Sequence, residues 1–452
     1  MIRCFGILLL LFVLCAWDSS DFEPPFEIRA LLLDQRFDEL ERLLGETQAR
    51  FEAGEVSEDR VSALFNSFST TDPDLEAPLD TWNEANPKSA VAPLARAHYN
   101  WRRGWAARGT ATRKRTPAAR FERMRELFDQ AQVDSIVALK RNPKLSLAYR
   151  LLISIGNARG AEWVETVMLR GLEEVPRSYS IRSVYLHSIT PWWGGSMAEI
   201  RNFLKTHVRT APNQEAMQAL YGYPDYVAAK LLKRKGLEEE ALSAYERALA
   251  YGDQTLYLKG RAGIHRSFKR YREVLADFDR MLEISPHDAD TLGGRAYLLY
   301  WRIKDKAAAH ADWRLSIRLD PLDPDNLYSR AYVFYREKRS DEAMADLEAA
   351  LVYGESDHRI HGLRGKIQVY SLKQYRPGAQ ALKRATELKP KNATYWYNYA
   401  YALDKLLDCE IVPALRRYLE LCEAGADCDG KYTHYAANKI KVLHEHDECL
   451  DK

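Results

Sequence analysis

The sequence lacks the patterns that usually announce chemistry. No HExxH, GxSxG, phosphate-cradling glycine-rich loop or CxxC occurs in its 452 residues. The metal, nucleophile, nucleotide and dithiol chemistries those patterns serve therefore have no support. Neither sign of charge dominates: 66 basic residues stand against 64 acidic ones, whereas a dedicated nucleic-acid binder carries a large basic excess. Beyond the first 17 residues no apolar run is long enough to span a bilayer. No stretch sustains the alternation of a half-buried strand. Cysteine is sparse and confined to the two ends, with Cys4 and Cys15 near the start and Cys409, Cys422, Cys428 and Cys449 in the last 44 residues. These absences predict an all-α chain that is not an enzyme, takes no cofactor or metal, and binds no nucleic acid.

The start of the chain reads as an export signal. Arg3 precedes an almost wholly apolar stretch from Cys4 to Trp17, and Asp18 and Asp21 follow. That length suits a secretory core better than a membrane span. Residues 1–16 are expected to be a signal peptide cleaved after Ala16, delivering the chain to the periplasm of a Gram-negative bacterium. The alternative is lipid anchoring through Cys15, for which Leu14 is a poor preceding residue. Export agrees with the four C-terminal cysteines, an even number clustered at one end. Glu410 to Glu423 and Lys431 to Glu448 read as antiparallel helices. Nested disulfides Cys422–Cys428 and Cys409–Cys449 would then staple the last hairpin. Zinc held with His434, His444 or His446 is the alternative, but the cysteine spacings of 13, 6 and 21 do not resemble zinc knuckles.

What is present is a period. Arg-Ala or Arg-Gly recurs at Arg261-Ala262, Arg295-Ala296, Arg330-Ala331 and Arg364-Gly365, with spacings of 34, 35 and 34. Each pair is followed by a second helical pattern and a turn, often with proline (Pro286, Pro321, Pro390). Small residues recur where two helices would touch: Ala331, Ala343 and Ala350 in one unit, and Ala229, Ala241 and Ala248 in an earlier one. The stretch LYSRAYVFYREKRSDEAMADLEAALVYG resembles a tetratricopeptide repeat, in which small residues let two antiparallel helices pack closely. Six repeats are expected, beginning near Gly222, Thr255, Ala289, Pro324, His358 and Ala393. Upstream, Pro87, Pro143, Pro176 and Pro212 continue the punctuation more loosely, with about 22 extra residues between the first two. Pro25 suits a first helical turn, and Phe26 to Leu44 carries apolar residues at helical spacing.

The expected organisation is a signal at 1–16, an irregular helical region at 17–215, repeats at 216–424 and a disulfide-stapled cap at 425–452. The fold class is a tetratricopeptide-type α-solenoid with an irregular helical N-terminal half. That half also resembles a bacterial family of helical domains of unknown function that precede such repeats. RFDELERLL near Arg36, YNWRRGWAARG from Tyr99 and PWWGGS from Pro191 carry the resemblance, which covers about residues 27 to 212. It implies architecture and export but no activity.

Several residues stand out as candidates. Each recurring arginine has an aspartate in the following helix: Arg261 with Asp277, Arg295 with Asp312, Arg330 with Asp346, and upstream Arg96 with Asp134. Partly buried ion pairs within each hairpin are expected. Arg364 has Ala381 where the aspartate should stand, which leaves it as the best candidate for a carboxylate clamp. In such solenoids the first helices line the binding face. Helical counting points Tyr297, Tyr300, Trp301, Tyr328, Tyr332, Tyr335, Tyr397 and Tyr401 at that face, among Arg336, Lys366 and Lys405. Tyr, Trp and Arg dominate interface energetics, so a groove for a protein or peptide partner is expected, the alternative being that the tyrosines pack between repeats. The basic run Arg102 to Arg125 reads as a solvated loop, or as a contact with an anionic envelope surface. PWWGGS reads as a corner in which Ser196 caps a helix beginning near Met197, or as a platform for a sugar or peptide ring. The leading expectation is an exported adaptor. The alternative is a glycan- or lipid-binding accessory protein using the tryptophans and the basic run, and an enzyme sited in the N-terminal half is a third reading.

Overall fold

The computed structural model describes residues 24–109, 116–156 and 160–445, and among them there is no strand. The expected signal peptide, Cys15 and the Cys449 end of the second disulfide lie outside the described residues. No described helix is long and apolar enough to cross a membrane. The protein is an all-α, tetratricopeptide-type repeat protein, and its contacts divide it into two units, 1–288 and 289–452. The expected boundary at 215 falls inside the first of these units. The first two repeats share one core with the N-terminal helices, because Tyr223, Tyr226, Tyr245 and Tyr257 form an interlocked aromatic cluster joined to it.

The N-terminal unit begins with two helices, Pro24–Leu33 and Phe37–Ala53, rather than one continuous helix. The chain reverses at Gln35, whose φ is 55°. In the second of these helices Leu40, Leu44, Thr47, Gln48 and Phe51 are buried, a stripe at steps of three and four. Gly54 ends it in the left-handed region at φ 80°. Trp82 is fully buried and lies against Phe37 and Phe68, with ring centroids 6.3 and 6.1 Å away. Glu58 opens the helix Glu58–Asn66. Its carboxylate accepts from the backbone N–H of Tyr179 (2.7 Å) and Ser180 (2.9 Å) and from both serine hydroxyls, Ser178 (2.7 Å) and Ser180 (2.6 Å). Glu58 thus supplies acceptors to the first turn of the helix Tyr179–Ser188, where Ser178 Oγ accepts from the Ile181 N–H.

The six repeats begin at Tyr223, Thr255, Ala289, Pro324, His358 and Ala393. The first hairpin turn of each passes through a residue at positive φ: Gly236, Lys269, Lys304, Lys338, Lys373 and Leu407. Ala331, Ala343 and Ala350 are wholly buried, as close helix packing requires. At Gly365 an added Cβ would lie 2.6 Å from the Leu382 side chain and 2.9 Å from the Gly378 carbonyl, so the backbones there meet without room for a methyl.

Two repeats depart from the common pattern. In the third, a π-helical turn spans Leu299–Ile303; in the fifth, another spans Ile367–Ser371. Each inserts one residue between the small packing residue and the left-handed turn. Ala296 to Lys304 is eight steps, and Gly365 to Lys373 is eight, whereas Ala331 to Lys338 and Ala400 to Leu407 are seven. The insertion rotates everything after it by about 100°, one helical position.

Candidate partner-binding face

The arginine–aspartate pairs are bidentate. Arg295 reaches Asp312 at 2.7 and 2.9 Å, and Arg330 reaches Asp346 at 2.8 and 2.7 Å. Arg261 reaches Asp277 at 3.3 Å (Nε to Oδ2) and 2.5 Å (Nη2 to Oδ1), and Arg96 reaches Asp134 at 2.9 and 2.7 Å. The aspartates are buried while each guanidinium keeps a wet edge. These pairs fasten the two helices of a hairpin. Asp346→Ala is expected to cost about 3 kcal/mol in equilibrium denaturation, the low end for a broken buried pair because Arg330 stays partly solvated.

Arg364 differs. Its Nε is buried with no hydrogen-bond partner, and Ala381 is buried where the other repeats carry aspartate. Arginine and partner position are 17 residues apart here and in the Arg295 repeat, and 16 apart in the Arg261 and Arg330 repeats; the two longer intervals are those holding the π turns. Ala381→Asp should therefore supply the missing acceptor and raise stability by about 1–2 kcal/mol. The gain should vanish in an Arg364→Ala background, a double-mutant cycle measured by urea denaturation.

The first helices of repeats three to six carry a ladder of rings. Tyr297 lies 6.4 Å from Trp301, Trp301 5.7 Å from Tyr332, and Tyr332 6.4 Å from Tyr328. Further along, Tyr370 stacks on Tyr401 at 4.9 Å and Tyr397 on Tyr432 at 4.5 Å. Burial, with Tyr432 and Tyr418 beside it, pushes the Tyr397 hydroxyl up to about 12. Three cations lie over these rings: Arg336 over Trp301 (5.8 Å), Lys366 over Tyr335 (5.4 Å) and Lys405 over Tyr401 (5.4 Å). None of the three makes an ion pair among the described residues. The Trp301 indole N–H has no acceptor.

Tyr300, expected on this face, is not there. It is buried, donates to Glu337 at 3.1 Å and packs against Trp313 and His310. The π turn is the reason: counted back from the left-handed residue, Trp301 takes the place that Tyr335 holds in the next repeat, and Tyr300 takes that of buried Phe334. The same shift brings Tyr370, which the sequence reading omitted, into register with Trp301 and Tyr335. The eight-residue interval to the turn is the signal that marks it.

Other sequence candidates are placed differently. The described residues of the run Arg102 to Arg125 lie mostly in the helices Val91–Arg108 and Ala118–Arg141, and 110–115 are outside the described residues. Several of its arginines are engaged, Arg103 with Glu76, Arg120 with the Ala107 carbonyl and Arg123 with Glu126. In PWWGGS, Ser196 accepts from the Glu199 N–H at 3.2 Å and caps the helix beginning at Met197. A Cβ on Gly195 would meet the Ile189 carbonyl at 2.1 Å. Trp192 is covered by Lys230 at 3.9 Å, leaving Trp193 as the exposed ring of the pair. Burial and the same Lys230 lower His187 to about 4. Cys422 and Cys428 are joined with Cα atoms 5.7 Å apart. No group of three metal-binding side chains occurs among the described residues.

Residues 26–174 match the model described as "Domain of unknown function (DUF4034)". The match agrees with the family resemblance noted for this half and stops before PWWGGS. No curated protein matches the chain. Among solved structures, one titled "Crystal structure of YrrB: a TPR protein with an unusual peptide-binding site" is 15% identical, covering 44% of this chain and 97% of that one with a TM-score of 0.33. A tetratricopeptide repeat protein from Parabacteroides merdae is 11% identical over 66% and 99%, with a TM-score of 0.35. The APC/C hetero-tetramer Cut9-Hcn1 is 11% identical over 96% and 98%, with a TM-score of 0.42. Such distant likenesses identify no partner.

Proposed function

We propose that the chain is an adaptor that holds an extended acidic segment of a protein partner on the first-helix face of repeats three to six. One observation carries the reading: Arg336, Lys366 and Lys405 sit over aromatic rings with no carboxylate among the described residues paired to them. Arg336 and Lys405 are exposed and Lys366 is partly buried, so all three charges are open to a partner's carboxylates. The partly covered tyrosines offer rigid contact area at small entropic cost. The role is binding rather than catalysis. A peptide array probed with the purified chain tests it: acidic sequences containing aromatic residues should be retained, and retention should fall as salt rises. Equal retention of basic peptides, insensitive to salt, would overturn the reading.

We also propose that this adaptor works outside the cytoplasm. The apolar start of the chain and the Cys422–Cys428 bridge support it. Recovery of the native protein from a cytoplasmic fraction with both thiols free would contradict it.

A further inference from the structure

The N-terminal unit contains a cleft unrelated to the aromatic ladder. Its volume is about 1000 Å³, and its walls come from five separated stretches: the turn leading into Glu58–Asn66, the start of Tyr179–Ser188, residues around Asn213, the Gln254 turn before the second repeat, and Ile284. That size lies at the upper end for small-ligand sites.

The polar groups in the cleft are mostly acceptors, and several are unused. Gln254 is more than nine-tenths buried, with one end of its amide on the Tyr179 hydroxyl and the other, Oε1, without a partner. Asn213 donates its amide N–H to the Arg177 carbonyl at 3.0 Å, which fixes the amide orientation and leaves Oδ1 buried and unpartnered. Asp59, an exposed residue, also lines the cleft and makes no hydrogen bond or ion pair among the described residues. Partial desolvation, then the neighbouring Glu58 carboxylate, raises its pKa. Glu58 itself is saturated by the four hydrogen bonds it accepts. Asp59 and the Tyr179 hydroxyl are close enough to interact electrostatically, and burial lifts that hydroxyl to about 12. The cleft is lined by one basic side chain, Arg177, against five acidic ones. Of those five, Glu55 and Asp253 are held by Arg50 and Arg280.

Orphaned buried acceptors beside an unpaired carboxylate are costly unless donors arrive to meet them. An ammonium carries three donors and one positive charge and has no acceptor. The walls also carry aliphatic side chains, among them Val56, Leu256 and an Ile284 side chain that is 46% exposed. We propose that this cleft binds an alkylammonium group, with the charged nitrogen between Asp59, Asn213 and Gln254 and the alkyl stem along Val56, Leu256 and Ile284. The source is either a free aliphatic amine or the lysine side chain of another protein, and the two share this chemistry.

Calorimetric titration of the full chain tests it. The probes are n-butylamine, 1,5-diaminopentane and Nα-acetyl-lysine methylamide, with n-butanol and butyrate as uncharged and anionic controls. The amines should bind saturably and the controls should not. Asp59→Asn should weaken amine binding at least tenfold, and Gln254→Leu should weaken it without moving the response to butanol. The thermal midpoint of each variant shows that the unit remains folded. Tighter binding of the free amines assigns the site to a small molecule; tighter binding of the lysine amide assigns it to a protein side chain. Butanol binding as tight as butylamine, no amine binding at millimolar concentration, or unchanged affinity in folded Asp59→Asn would each overturn the proposal.

Discussion

Replacing Glu58 by alanine is expected to destabilise the N-terminal unit by about 4 kcal/mol, the scale for removing a buried charged acceptor and stranding its donors. The loss follows from the geometry. Two backbone N–H groups and two hydroxyls converge on one carboxylate, and three of the four contacts are 2.7 Å or shorter. These donors belong to the first turn of a helix more than a hundred residues away in sequence. Without the carboxylate they face no other acceptor except Ser178 Oγ, which already accepts from the Ile181 N–H. Glu58→Gln should recover part of the loss, since an amide oxygen can still serve two donors while its NH₂ opposes the others. Urea denaturation followed by tryptophan fluorescence measures both. A loss below about 1 kcal/mol, the size of one ordinary hydrogen bond, would mean that water replaces the side chain.

The second large effect separates two tyrosines that the sequence groups together. Tyr300→Ala should cost about 4 kcal/mol of stability, as a large aromatic removed from a core does. Tyr332, which lies against Trp301 on the face, is only partly covered, and Tyr332→Ala should leave stability within about 1 kcal/mol. The binding effects should be reversed. Tyr332, Tyr335 and Tyr370 replaced singly by alanine should each lower partner affinity by about 2 kcal/mol, roughly 30-fold. Tyr300→Ala, measured in the folded fraction, should change affinity by less. If Tyr300 behaves as a surface residue, the π turn is misplaced.

The repeats were legible in the sequence because their signals are local and recurrent. Five of the six observed first helices begin at the residue expected, from Thr255 to Ala393, and the other starts at Tyr223 beside the expected Gly222. The partner aspartates were found because a charge at fixed spacing inside a hairpin has one place to go. The face was read less well. A π turn leaves no composition signature, and one extra residue redirects every side chain after it, so Tyr300 was assigned outward and Tyr370 was missed. The N-terminal region was harder for another reason. Its helices are short and joined by turns at residues such as Gln35 and Gly54, and its organising contact joins Glu58 to residues 178–180. No spacing rule reports a contact of that range. In the basic run, charge density alone does not distinguish a solvated loop from helix ends whose arginines reach neighbouring acids and carbonyls, as Arg103, Arg120 and Arg123 do.

The adaptor reading stands on charge at one face, and one measurement addresses it. An acidic peptide selected from the array, or the partner segment it identifies, is titrated by fluorescence anisotropy against the unaltered chain and against a triple variant, Arg336→Glu, Lys366→Glu and Lys405→Glu. A second triple variant of the same charge change, Lys259→Glu, Lys140→Glu and Arg201→Glu, lies in the other unit and serves as control. The account predicts at least a hundredfold loss for the first variant, little change for the control, and a salt dependence that disappears with the three cations. Equal affinity in both variants would contradict it.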